Sequence, residues 1–277
     1  NPWYCGGNVL WQNPQVALIS PVYLLSFVVS LPVAMKLTIL LHYLLGFAGM
    51  HLLLTGALGV AWWPVVLLLA SLFTLAGGPV FHLAVGHATF LPYFYLPWVL
   101  FFFVRAIQDR ATHHAIGAAV VLAVALYGGG LHIVVMAAVA LTVFAIAASI
   151  TSRSPTPLVA LATTGVIAVL LAAPKLVPTL VFLRDSRLAD SRSFVPGGDM
   201  MTANVLEHSL VDAFQFRRLR VGGQSHGWAE YGNYIGQLGV LLIVASFVWA
   251  LVRQPWRREH WLTFSLACTA AVLLSLA

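Results

Sequence analysis

Eight apolar stretches can be marked along the chain, at about 33–54, 59–77, 79–104, 115–128, 131–150, 157–183, 234–252 and 260–277. Most approach the roughly 20 residues that a helix needs to cross a bilayer. One polar segment, 184–232, interrupts them. The stretch 115–150 is long enough for a single helix, but Gly128-Gly129-Gly130 divides it. Three successive glycines favour a turn over a helix interior. The stretch from Ile19 to Pro32 is apolar but short and carries Pro21 and Pro32, which suits an interfacial or re-entrant helix better than a span.

Composition settles the solvent. Apolar residues make up 61% of the chain and charged residues 8%, against about 25% charged in an ordinary soluble domain. So few charges cannot cover a water-facing surface, so lipid must surround most of the molecule. The net charge of +6 does not point to nucleic acid, because the basic residues are scattered between apolar runs and form no stripe. They read instead as orientation signals. Arg105 with Arg110, then Arg153, then Arg253, Arg257 and Arg258 form three basic loops. Short basic loops face the cytoplasm, and splitting 115–150 into two spans puts all three on that side. Asn1–Ser20, the Gly77-Gly78-Pro79 turn, the glycine triplet and 184–232 then face outward. This divides the chain into an outer loop with an interfacial helix (1–32), a membrane bundle (33–183), an outer segment (184–232) and further spans (233–277).

Cys5 and Cys268 are far apart and differ in setting, so no disulfide or CxxC site is expected. The first residue is not Met and the chain stops inside an apolar run, Leu262 to Ala277, so it is expected to be an internal piece of a longer protein.

Polar residues inside membrane segments are costly, which makes each a candidate site. His82 and His87 are the first set. Their spacing of five is not the three or four that places two ligands on one helical face. Backbone hydrogen bonding at a broken helix end, contact with an anion or sugar, and metal or haem ligation are the open readings. Lys175, followed by Arg184, Arg187 and Arg192, is the second set. Lys175 sits in Ala172-Ala173-Pro174-Lys175-Leu176-Val177-Pro178. It either snorkels to the interface or takes a partner: a lipid-linked phosphate, a carboxylate or a backbone carbonyl. The third set is Gly227 to Gly236, with Glu230, Tyr231 and Asn233. Aromatics and a carboxylate before a span suit a saccharide surface, and re-entry into the bilayer explains the aromatics equally well. Nucleotide-cradling, zincin and hydrolase motifs are absent from the sequence.

Several of these pieces resemble the YfhO-type family of bacterial membrane proteins, which belongs to the GT-C superfamily of membrane glycosyltransferases. Asn1-Pro2-Trp3-Tyr4-Cys5-Gly6-Gly7-Asn8 with Asn13-Pro14-Gln15 is similar to that family's first outer loop. His42 through Gly49 is similar to one of its spans, and His82 with Gly86-His87 to another. Leu176 to Pro178 with Ser186-Arg187, and Glu230 to Gly236, resemble two further stretches, in the same order. Pro174-Lys175 departs from the pattern, which commonly has Gln there. The resemblance implies an all-α polytopic membrane protein of about eight transmembrane segments, GT-C-like, in the bacterial inner membrane. It implies transfer of a sugar from a polyprenyl-phosphate donor on the outer face. Lys175, Arg184, Arg187, His82 and His87 would then serve the donor phosphate, with Glu230, Tyr231, Asn233 and Asn13 at the sugar or acceptor. The catalytic base of the superfamily falls before Asn1, no base is assigned within this chain, and a divalent metal is optional. The rival expectation is a non-catalytic membrane subunit of a larger complex, pigment- or haem-containing if the histidines are ligands.

Overall fold

A computed structural model describes residues 11–17, 19–84, 86–185, 220–221, 224–225, 236–252 and 261–276. The described chain is helical apart from one antiparallel pair, β1 (Arg220–Val221) and β2 (Gln224–Ser225). Five helical stretches are long and apolar enough to cross a membrane: Leu31–Ala57, Trp63–Ala84, Ala88–Asp109, Leu131–Ser152 and Thr156–Arg184. Thr112–Tyr127 is a shorter apolar helix. The chain divides into two compact units. One comprises Asn1–Thr74, Thr89–Ala137 and Ala162–Ser193; the other comprises Leu75–Ala88, Ala138–Leu161 and Phe194–Ala277.

The first unit begins with α1 (Pro21–Leu25), capped by the Ser20 hydroxyl, which accepts from the Val22 amide. Phe27 and Val28 beyond it are almost fully exposed, as an interfacial turn requires. Helix α2 (Leu31–Leu52) starts at Ser30-Leu31-Pro32, where the missing proline amide costs nothing in the first turn. Its buried residues, Ala34, Thr38, His42, Gly46 and Gly49, recur every three or four positions and so form one stripe. Two glycines in that stripe admit aromatics. A Cβ on Gly46 would stand 2.5 Å from Phe94, and one on Gly49 would stand 2.5 Å from Trp98.

The end of α2 widens into a π turn, Leu53–Ala57, which frees carbonyls from the regular ladder. Helix α5 (Leu96–Asp109) supplies the partners: Gln108 Nε2 donates to the Ala57 carbonyl at 2.8 Å, and Arg105 reaches Gly56. Arg105 also pairs with Asp109 at 2.9 Å, and Asp109 accepts from His114 at the start of α6 (Thr112–Tyr127). Arg110, between α5 and α6, ends its helix in the left-handed conformation at φ 53°. Helix α5 packs on α6 and α2, and α2 on α3 (Trp63–Thr74).

The second unit contains α4 (Gly77–Ala84) and, at its C-terminal side, α9 (Gly236–Val252) packed on α10 (Trp261–Leu276). Helices α7 (Leu131–Ser152) and α8 (Thr156–Asp185) belong partly to each unit. Arg153, between them, also adopts φ 53°.

Two expectations change. Gly77-Gly78-Pro79 is not a turn between spans: it opens α4, where Pro79 occupies a first-turn position that needs no amide. The apolar stretch 79–104 is not one helix either. It breaks at Gly86, passes through a 3₁₀ segment (Ala88–Tyr95) containing Pro92, and becomes α-helical only at Leu96. Hydropathy is blind to both breaks, since one or two glycines or prolines barely change the average over a span-length window. The break at Gly128-Gly129-Gly130 falls where expected, between Tyr127 and Leu131.

Within the first unit, the bonds from Arg105 and Gln108 to Gly56 and Ala57 put 58–62 and 110–111 at one end of α2 and the segment before α2 at the other. Cysteines introduced at Gln108 and Leu58 should therefore label from the same side of sealed vesicles, and a cysteine at Gln15 from the opposite side. Labelling of Gln108 and Leu58 from opposite sides would break this topology.

Candidate functional site

A polar seam lies where residues 11–17 and 19 meet α8 and the α6–α7 turn. It begins with Asn13-Pro14-Gln15-Val16. The Asn13 side-chain oxygen accepts from the Gln15 amide at 2.9 Å, and the Asn13 carbonyl accepts from Val16 at 3.2 Å. An Asx turn followed by a β-turn is what Asn-Pro favours, because proline presets φ and the amide-bearing neighbour folds onto the Asn oxygen. The side chain of Asn13, expected at a sugar or acceptor, is thus committed to its own turn.

Helix α8 receives this turn through its two prolines. Pro178 has no amide to give the carbonyl of Pro174, four residues back. The indole of Trp11 takes that carbonyl instead, at 2.8 Å. Next to it, Lys175 is 0% exposed. Its ammonium donates to the Val16 carbonyl at 2.6 Å and the Asn13 carbonyl at 3.2 Å. Lys175 therefore does not snorkel; among the alternatives in the sequence, the backbone-carbonyl partner is the one realised. Further contacts complete the seam: Ile19 donates to the Tyr127 carbonyl at 3.3 Å, and the Tyr127 hydroxyl donates to Leu171 at 3.1 Å. Gly129, at φ +84°, lies so close to Gln15 that a Cβ there would stand 2.6 Å from the Gln15 carbonyl oxygen.

Two features of this seam remain chemically open. An ammonium has three donors, and two are used. Among the described residues, no carboxylate pairs with Lys175, whose bonds go to two backbone carbonyls. Thr179, one turn further along the same helix face, is also 0% exposed, and its hydroxyl has no partner. Thr38, Thr74, Thr142 and Thr151 return their hydroxyls to the carbonyl four residues back; Thr179 does not. The sequence reading missed Thr179, although its position four residues after a buried lysine was the available signal.

The remaining expected phosphate ligands do not gather at Lys175 by virtue of α8. Arg184 is exposed, and nine residues along an α-helix turn it half a revolution away and advance it roughly 14 Å. Arg187, Glu230, Tyr231 and Asn233 lie outside the described residues.

In the second unit, His82 and His87 do meet. Helix α4 ends in a Schellman motif: His87 N–H donates to the His82 carbonyl at 2.8 Å, Gly86 N–H donates to Leu83 at 3.0 Å, and Gly86 sits at φ +87°. That motif brings together residues five apart, normally as an apolar contact. Here it brings two imidazoles together, with Nδ1 atoms 3.5 Å apart. The spacing of five, which argues against a pair on a continuous helix, is the pairing distance at this helix end. His82 is buried and His87 exposed.

His42, in the middle of α2, is fully engaged. Its Nδ1–H donates to Thr38 at 2.7 Å, so Nε2 must accept from the Tyr95 hydroxyl at 2.9 Å. Both nitrogens are satisfied, which fits a role in joining α2 to the 3₁₀ segment. No group of three or more His, Cys, Asp or Glu side chains suited to a metal occurs among the described residues.

These features define an α-helical, multi-pass membrane protein with a buried cation under a docked N-terminal segment. Neither a family model, nor a curated protein, nor a solved structure matches the chain.

Proposed function

We propose that the protein is a GT-C-like membrane glycosyltransferase that takes a sugar from a polyprenyl-phosphate donor on the outer face of the membrane, with Lys175 contacting the donor phosphate. The observation that carries this reading is the burial of Lys175 beside neutral acceptors. Lys175 is fully buried, held by two neutral carbonyls, with a third donor to spare and no carboxylate among the described residues. A buried charge is expensive until a counter-charge reaches it. A phosphate that arrives on a lipid at the membrane surface supplies one, and charge-assisted bonds to phosphate are strong. The unpartnered Thr179 hydroxyl on the same helix face adds a second donor of the kind a phosphate takes. The ordered resemblance of the sequence to the YfhO-type family supports the choice of a sugar donor.

A second reading has its own observation. Lys175 already holds the turn at Asn13–Val16, as expected of a residue whose task is to fasten the N-terminal segment in a non-catalytic membrane subunit. The two readings separate in one experiment. Sugar transfer from a labelled polyprenyl-phosphate donor is measured in proteoliposomes for the unmodified protein, Lys175→Met and Trp11→Phe. Trp11→Phe loosens the segment and leaves the charge. Loss of transfer by tenfold or more in Lys175→Met, with Trp11→Phe near normal, supports the phosphate contact. Equal loss in both variants, or no transfer by the unmodified protein, leaves Lys175 as a fastener and overturns the proposal.

A further inference from the structure

We propose that the N-terminal segment, residues 11–17 and 19, is a cover over Lys175 that lifts when a lipid-borne phosphate takes the ammonium from it. The inference rests on the reading of Lys175 as the donor-phosphate contact. While the segment is docked, that contact has no room to form. Lys175 is 0% exposed, and its Nζ is occupied by the Val16 carbonyl at 2.6 Å and the Asn13 carbonyl at 3.2 Å. The two carbonyls hold the donor positions that phosphate oxygens would take. They satisfy the ammonium's hydrogen-bonding geometry and leave its charge without a counter-charge, which is the expensive part of burying it. A phosphate supplies both, and bonds between two charged groups are roughly twice as strong as neutral ones. The exchange of carbonyls for phosphate therefore runs downhill at Lys175, and the segment is what must move.

The segment is constructed to leave as a unit. Its turn is self-contained, because the Asn13 side chain accepts from the Gln15 amide and the Asn13 carbonyl from the Val16 amide. Both bonds survive undocking. Among the described residues, the hydrogen bonds that tie the segment to the bundle are the two from Lys175, Trp11 to the Pro174 carbonyl at 2.8 Å, and Ile19 to the Tyr127 carbonyl at 3.3 Å. Such bonds are individually modest in membrane proteins. Once the carbonyls leave, the Thr179 hydroxyl, buried one turn along α8 and without a partner, gives the phosphate a second donor. A ligand moves a two-state element only by its differential affinity for the two states. Here that difference is the ammonium itself, hidden in one state and free in the other.

The test uses the full chain in proteoliposomes and reads two quantities: hydrogen exchange at the Ile19 amide, and retention of labelled polyprenyl phosphate that carries no sugar. Polyprenyl phosphate should raise exchange at Ile19 by about tenfold or more, since exchange there follows the open fraction. Polyprenol of the same length and equimolar inorganic phosphate should leave it unchanged. Trp11→Phe removes one bond of the docked state. It should tighten polyprenyl-phosphate binding by about threefold, the factor to which an average membrane-protein hydrogen bond corresponds, because a cover that opens more readily subtracts less from the affinity. Retention that is lost in Lys175→Met while Ile19 exchange stays unmoved would overturn the cover and leave the phosphate contact standing. Equal retention in Lys175→Met and the unmodified protein overturns the contact, and the cover with it. A rise in exchange as large with inorganic phosphate overturns the lipid-borne source.

Discussion

Lys175→Ala should lower stability by about 2–4 kcal/mol, whereas Lys175→Met should stay within about 1 kcal/mol of the unmodified protein and release residues 11–19. The difference follows from what each change removes. Alanine deletes a long side chain at a position with no exposure, and the cavity it leaves costs as much as other large-to-small core changes. Methionine keeps most of the volume and removes the buried charge together with its desolvation cost, which offsets the lost bonds. Each such bond is itself modest, since hydrogen bonds within membrane proteins average about 0.6 kcal/mol. The carbonyls of Asn13 and Val16, however, lose their shared donor. Reversible unfolding in mixed detergent gives the stabilities, and hydrogen exchange at the Val16 and Ile19 amides reports the segment. Unchanged protection in Lys175→Met would show that Trp11 and the Tyr127 contact hold the segment without the lysine.

Gly129→Ala should cost about 3 kcal/mol, and Gly165→Ala should cost nothing or stabilise. At Gly129 the backbone is at φ +84°, a conformation that costs an ordinary residue roughly 1–2 kcal/mol. The added Cβ would also stand 2.6 Å from the Gln15 carbonyl oxygen and 3.1 Å from its carbon. The obstacle is backbone fixed by the Asn13 turn, so it cannot swing aside as a side chain does, and overpacking adds about 1–3 kcal/mol. At Gly165, inside α8, a Cβ meets nothing within 4 Å, and alanine gains up to about 1 kcal/mol of helix propensity. The same unfolding assay compares the two. Equal midpoints for both variants would mean that the turn at Gly128–Gly130 yields freely and does not hold the N-terminal segment.

The Lys175 and Gly129 experiments probe one seam from its two sides, and the sequence shows each side separately. Asn13-Pro14-Gln15, the glycine triplet and Pro174-Lys175-Leu176-Val177-Pro178 all stand out along the chain as turns, breaks or anomalies. Their mutual need does not. That Pro178 leaves a carbonyl at Pro174 can be read from the spacing of two prolines; that Trp11 answers it, 163 residues away, cannot. The histidine pair shows the opposite balance. A spacing of five with glycine before the second histidine is a complete Schellman pattern, legible without coordinates, and only the assumption of a continuous helix hides it.

What the sequence determined alone is what depends on one-dimensional patterns. The solvent follows from 8% charge, and the break in 115–150 from three glycines. Each rests on local conformational preference or on transfer between water and lipid, and neither needs a partner. The tertiary structure decided how the buried polar atoms are satisfied. Lys175 ends on carbonyls rather than at the interface, His42 on Thr38 and Tyr95, and Arg184 on the face of α8 opposite Lys175. Inside a membrane every freed donor or acceptor must find another, and which one it finds depends on helices brought side by side, a relation that no spacing along the chain records.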